Sequence, residues 1–244
     1  MAQNIYDDTG FFAGYSRLER SVAGLEGAPE WPALRALLPP LAGARVVDLG
    51  CGFGWFCRWA AEQGAAQVLG LDVSRNMLAR AVETTPSPAV SYRIADLDQL
   101  ALPASAFDLA YSSLAFHYVA DIRPLFRTIH DALAPGGHLV FSTEHPIYMA
   151  PTSPEWTTSA DGRSVWPLDG YLNEGARRTN WLAEGVLKYH RTLGTTLSTL
   201  IASGFVLTHV EEWGPDAAQV AARPDWNIER ERPMFLLIAA RREG

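Results

Sequence analysis

Cysteine is scarce: Cys51 and Cys57 are the only two in 244 residues. They are too few for a disulfide framework and have no histidines nearby at metal-ligand spacing. A reducing compartment is the expectation, and no metal centre. Basic charge is also in deficit, since 20 Lys and Arg against 27 Asp and Glu leave a formal charge of −7. Gripping a nucleic-acid backbone by charge needs a basic stripe, so no nucleic-acid partner is expected. No apolar run approaches the roughly 20 residues that span a bilayer, and no positively charged start leads into an apolar segment. A soluble cytoplasmic protein without a membrane partner follows as an expectation. Internal repeats and low-complexity tracts are lacking too, which removes solenoids and tails from consideration.

What is present is an apolar fraction of 48%, enough for one substantial core. A single domain over 1–244 is expected. Residues 1–43 form an N-terminal helical extension, in which "WPALRALLPP" reads as a helix opened by one proline and stopped by two. "ARVVDLG", "GWFCRWAAEQGA", "QVLGLDV" and "SRNMLARAVE" then alternate strand, helix, strand, helix, with Ser74 as the N-cap of the last. "VSYRIADL" and "AFDLAYSSLAF" continue as strands. "DIRPLFRTIHDALAPGG" reads as a helix with Leu125, Ile129 and Leu133 on one face, and "HLVFSTE" as a fifth strand. This rhythm implies an α/β fold with a parallel sheet covered by helices on both faces. It breaks over 144–189, where prolines, glycines, Trp156, Trp166 and Trp181 predict a packed lid insertion. "HRTLGTTLSTLIASGF" resumes as a helix, and "FVLTHVEEW" and "RPMFLLIAARR" close the chain as strands.

The most informative stretch is "RVVDLGCGFGWF", a strand that ends in a glycine-rich turn and opens into a helix. Open α/β sheets bind nucleotide-like ligands at such a turn, at the carboxyl edge of the strands. In the dinucleotide pattern G-x-G-x-x-G the third glycine would fall at Trp55. Asp48 also stands two residues before Gly50, where a carboxylate would repel a pyrophosphate and attract a cation. Both features count against a nicotinamide-dependent oxidoreductase, which stays as an alternative.

The acid followed by G-x-G-x-G resembles the first motif of the class I S-adenosylmethionine-dependent methyltransferases, and matching positions run on to Gly137. The resemblance implies a doubly wound, seven-stranded, mostly parallel Rossmann-like sheet whose last two strands form an antiparallel pair. It implies S-adenosyl-L-methionine as cofactor, with the turn Gly50, Cys51, Gly52 and Gly54 against its methionine and ribose parts and Asp48 toward its ammonium end. Asp72 would take both ribose hydroxyls, Val73 and Met77 would flank the adenine, and Asp96 would accept from the adenine amine while Leu97 donates through its backbone. Ser112 and Ser113 fall where the chain passes the transferable methyl. "LAPGGHLVFS" looks like the corresponding turn and strand of members acting on small molecules. The plain alternatives are a capping role for Asp72 beside Ser74 and an ordinary loop role for Asp96. Trp55 and Trp59 read as packing residues against the extension.

Methyl transfer is an in-line displacement in which alignment alone can supply on the order of 7–11 kcal/mol. A base that removes a proton from a hydroxyl or acidic carbon would add roughly a hundredfold. Of six histidines, His117 and His145 follow the fourth and fifth strands at the ligand-bearing edge and are the catalytic candidates. Tyr189 and His190, at the return from the lid, rank behind them. The Asn/Asp-Pro-Pro-aromatic turn of members that methylate base or glutamine amines is absent, "SSLA" standing in its place. The expected partner is thus a small, partly apolar acceptor closed in by Phe11, Phe12, Tyr15 and the lid. A homodimer is left open, and so is a non-catalytic module that only binds S-adenosylmethionine or S-adenosylhomocysteine.

Overall fold

A computed structural model describes residues 3–243. Helices α1 (Thr9–Tyr15), α2 (Glu19–Val22) and α3 (Trp31–Ala36) build the N-terminal extension. The core follows as β1 (Arg45–Leu49), α4 (Trp55–Glu62), β2 (Gln67–Asp72), α5 (Arg75–Glu83), β3 (Val90–Ile94), β4 (Phe107–Ser113), α6 (Ile122–Ala132) and β5 (Leu133–Glu144). After an insertion, α8 (Leu193–Ala202), β10 (Phe205–Trp213), α9 (Ala217–Ala222) and β11 (Phe235–Arg242) complete it. The seven strands lie in the order β10-β11-β5-β4-β1-β2-β3. β1 to β5 pair in parallel, while β11 runs antiparallel to both of its neighbours, β10 and β5. Among the described residues no helix is long and apolar enough to cross a membrane.

Strand side chains alternate between two cores. Leu236, Ile238 and Ala240 face the one under α6 and α8, while Leu237 and Ala239 face the one under α3 and α4. Both faces being covered, the strands read as apolar runs, as buried parallel sheets do. Side-chain caps start the helices where the sequence offers them: Ser74 accepts from Met77 N, Asp121 from Arg123 N, and Thr192 from Thr195 N. One expectation needs correction. Leu133 leaves α6 in an extended conformation and begins β5, the helix ending just before Ala134, whose helical geometry Pro135 disfavours. The apolar stripe of α6 is instead Ile122, Leu125, Phe126, Ile129 and Ala132.

The insertion has structure of its own. A short helix α7 (Pro146–Met149) precedes two small hairpins, β6 (Thr157–Thr158) with β7 (Ser164–Val165), and β8 (Gly175–Trp181) with β9 (Ala183–His190). The second hairpin is tied to the extension, where Gln3 Oε1 accepts from Leu187 N at 2.7 Å and Gln3 Nε2 donates to Gly185 O at 3.2 Å. Arg232 clamps the first part, its guanidinium 4.1–5.0 Å from the rings of Tyr148, Trp156 and Trp166. Trp31 meets Trp59 edge-on at 4.9 Å and Gly24 abuts Trp55, so both tryptophans of α4 pack against the extension as expected.

Candidate active site

The carboxyl ends of β1, β2, β3, β4 and β5 open onto one cavity of about 250 Å³. On its first side stands the turn after β1. Gly50 N and Cys51 N donate to Leu71 O at 2.8 and 2.9 Å, which braces the turn against β2. Gly52 N donates to Asp72 Oδ2 at 2.9 Å, and Ser74 N donates to Asp72 Oδ1 at 2.9 Å. Both carboxylate oxygens are thereby fixed, and each keeps a lone pair for a ligand. Burial raises the Asp72 pKa against these two bonds. A cationic or hydrogen-bond-donating ligand would favour the ionised form.

The glycines of the turn divide their work. Gly52 has a φ of +52°, and a Cβ built there meets nothing within 4 Å, so the cavity itself occupies that direction. Gly54 has a φ of +72°, and its Cβ would lie 2.1 Å from the Tyr92 hydroxyl. It packs against β3 and does not line the cavity. Cys51 and Asp48 line an adjoining hollow shared with Gly50, Gly52, Tyr15 and Arg20. Asp48 is 2% exposed. Its pKa is pushed up to about 7, chiefly by burial, while a hydrogen bond from the Cys57 thiol at 3.2 Å works the other way.

Val73, Met77, Asp96, Leu97 and Ser113 all line the main cavity. Asp96 also caps the turn that follows it, accepting from Asp98 N at 3.0 Å, a loop role that it combines with its cavity position. Ser112 does not reach the cavity. Alternation along β4 turns it into the sheet, where it is fully buried and donates to Leu49 O at 2.7 Å.

Of the two candidate histidines the structure brings one to the cavity. His117 lines it and is 3% exposed. Its Nδ1 faces Glu144 N at 3.4 Å, and burial pushes its pKa down to about 3, so the ring is neutral near pH 7. His145 lies apart from it: it caps α7, accepting from Ile147 N at 3.1 Å, and its Nε2 pairs with Glu212 at 2.9 Å, outside the cavity. Both ring nitrogens are spent on structure. Tyr189 and His190 also lie off the cavity, His190 bonding Tyr171 O at 2.8 Å. Of the aromatics expected from the extension, Tyr15 lines the cavity, while Phe11 is buried behind it and Phe12 packs on Phe53.

The second side holds residues that sequence reasoning missed. Tyr6 and Tyr118 meet hydroxyl to hydroxyl at 3.2 Å across the cavity wall, and Tyr148, Trp181 and Phe235 add aromatic surface. Glu144, at the end of β5, lines the cavity and pairs with Lys188 Nζ at 2.5 Å. Burial pushes the Glu144 pKa up, while its neighbours, His117 first and then Lys188 with its hydrogen bond, bring it below the ordinary value. One signal was available in the sequence: Lys188 is the single lysine among 20 basic residues. Arg20 also reaches the cavity, gripped bidentately by the buried Glu30 at 3.1 Å.

Comparison with known proteins agrees with this architecture. A family model described as a methyltransferase domain matches residues 47–141, from β1 into β5. The crystal structure of an S-adenosylmethionine-dependent methyltransferase from Mesorhizobium loti superposes with a TM-score of 0.87 at 64% identity, covering 90% of this chain and 100% of that one. An uncharacterized protein of Haemophilus influenzae is 36% identical over 98% of this chain and 97% of its own length. A malonyl-[acyl-carrier protein] O-methyltransferase of Enterobacter lignolyticus is 37% identical, but only over 46% of this chain and 43% of that protein. The chain belongs to the S-adenosylmethionine-dependent methyltransferases.

Proposed function

We propose that the cavity holds S-adenosylmethionine on its first side and a small-molecule methyl acceptor on its second. The carrying observation is that Gly52, Asp72 and Asp96 line one cavity that continues into the aromatic pocket around Tyr6, Tyr118 and Trp181. The residues fit the cofactor on grounds of chemistry. Asp72 has two pre-oriented oxygens for a vicinal diol, Val73, Met77 and Leu97 offer apolar surface for a flat base, and the open direction at Gly52 lets backbone approach closely. Asp48 and Arg20, facing the adjoining hollow, suit an ammonium and a carboxylate.

When bound, the cofactor supplies an electrophilic methyl group. The chain's own part is alignment and exclusion of water. Extension and insertion close over the cavity and act as a lid, so an acceptor held between the aromatic rings faces the strand ends at a fixed distance. His117 is neutral and suited to orienting an acceptor by hydrogen bonding, and its low pKa makes it a weak general base. Titration calorimetry tests the reading: S-adenosylhomocysteine should bind and NAD should not. Turnover with a small-molecule acceptor separates an enzyme from a mere binder, and methylation of tRNA or protein with no small molecule accepted would overturn the acceptor assignment.

A further inference from the structure

The second side of the cavity carries a charge device whose chemistry limits what can enter. Lys188 is 4% exposed, lies 2.5 Å from Glu144 Oε1 and sits 5.2 Å over the ring of Trp181. Burying an ion pair costs desolvation that attraction repays only with good geometry, and apolar residues of similar volume stabilise a core as well or better. Packing alone therefore does not call for this pair. Lys188 takes one of the roughly four acceptor positions of the carboxylate and keeps it ionised, leaving the others for a ligand. The remaining charges add to the same field. Among the described residues, Asp72, Asp96, Asp98 and Glu144 line the cavity, and the two cations beside them are already paired, Arg20 with Glu30 and Lys188 with Glu144, while His117 is neutral. An anion moved into this enclosure meets net repulsion at low dielectric.

We infer that Glu144, oriented by Lys188, is the specificity-determining residue for the acceptor: it takes a flat small molecule through a hydrogen-bond-donating hydroxyl or amine and refuses anions. The inference rests on the methyl-transfer reading. Tyr118, Tyr148, Trp181 and Phe235 supply the apolar faces for such a molecule, and Glu144 a fixed carboxylate acceptor among them. Lys188 is a positioning residue, acting only through Glu144.

The experiment uses the whole chain saturated with S-adenosylhomocysteine and three probes with one ring in common: tyramine, 4-ethylphenol and 3-(4-hydroxyphenyl)propanoate. Calorimetry near neutral pH should rank tyramine and 4-ethylphenol about tenfold or more tighter than the propanoate. The first two probes separate an ammonium from a hydroxyl as the preferred donor. Glu144→Gln should reduce the spread to within about threefold. The double variant Glu144→Gln/Lys188→Met leaves no orphaned charge and should do the same in a chain that unfolds at an unchanged midpoint. Tight binding of the propanoate, an unaltered ranking in both variants, or no binding of any probe overturns the inference. Failure of S-adenosylhomocysteine itself to bind strikes the cofactor reading instead, and the same ranking taken on the chain alone still decides the role of Glu144.

Discussion

The two sides of the cavity are built by opposite means. On the first, each wall residue follows a strand end, and main-chain bonds fix it, as Gly52 N and Ser74 N fix Asp72. On the second, the walls are side chains brought from distant parts of the chain. Tyr6 meets Tyr118 across 112 residues, and Gln3 meets Leu187 across 184. The first side is a property of the sheet, which the family shares. The second depends on the extension and insertion, where an acceptor can be chosen without disturbing the sheet.

If the contrast is right, damage to each side should read out differently. The largest effect is expected from Lys188→Met, which leaves Glu144 as a buried unpaired carboxylate and should cost about 3–5 kcal/mol of stability. Urea unfolding checks this, and Glu144→Gln added to the same chain should restore most of the loss. Next comes Asp72→Ala. Loss of charged hydrogen bonds worth about 1.5–3 kcal/mol each should weaken S-adenosylhomocysteine binding at least tenfold by calorimetry. Unchanged affinity would mean that the first side does not hold the nucleoside.

A finer comparison lies within the turn. Gly52→Ala and Gly54→Ala both place a side chain at positive φ, at a cost of about 1–2 kcal/mol. Gly52→Ala should in addition lose ligand affinity, because its methyl enters the cavity. Gly54→Ala should instead lose further stability, because its methyl collides with the Tyr92 hydroxyl. Thermal melts with and without S-adenosylhomocysteine separate the two.

A further comparison concerns pH, and the two sides should oppose each other. His117 refuses a proton down to about pH 3 in the folded chain. Once unfolded it accepts one near 6.5. Its contribution to stability is thus lost as pH falls from about 6.5 toward 3, and His117→Gln should flatten the acid limb of a melting-temperature profile. Asp48 keeps its proton up to about pH 7 when folded. Unfolded, it releases the proton near 3.9, so stability declines as pH rises between those values, and Asp48→Asn should remove that decline. A steeper profile in either variant would contradict the burial assigned to that group.

This contrast also explains what could be read in the sequence. The order of strands and helices, the turn at Gly50–Gly54 and the acids Asp72 and Asp96 were legible because the parallel sheet places them by local spacing alone. Ser112 and Ser113 show the limit, since adjacent residues on a strand face opposite ways and only Ser113 reaches the cavity. His145 lies off the cavity for a related reason. Position at a strand end says nothing of which partners a side chain finds, and it found Glu212, 67 residues away. Glu144, Lys188 and Tyr6 went unread because their meeting depends on how extension and insertion fold back, which no short-range pattern encodes. The isolated lysine was the one compositional hint.

The central claim is that Gly52, Asp72 and Asp96 together hold an adenosyl ligand. A crystal structure of the chain with S-adenosylhomocysteine tests it most directly. The account predicts the ribose hydroxyls on both oxygens of Asp72, the ligand passing over Gly52, and the base between Met77 and Leu97. Density elsewhere on the molecule, or a ribose turned away from Asp72, would contradict it.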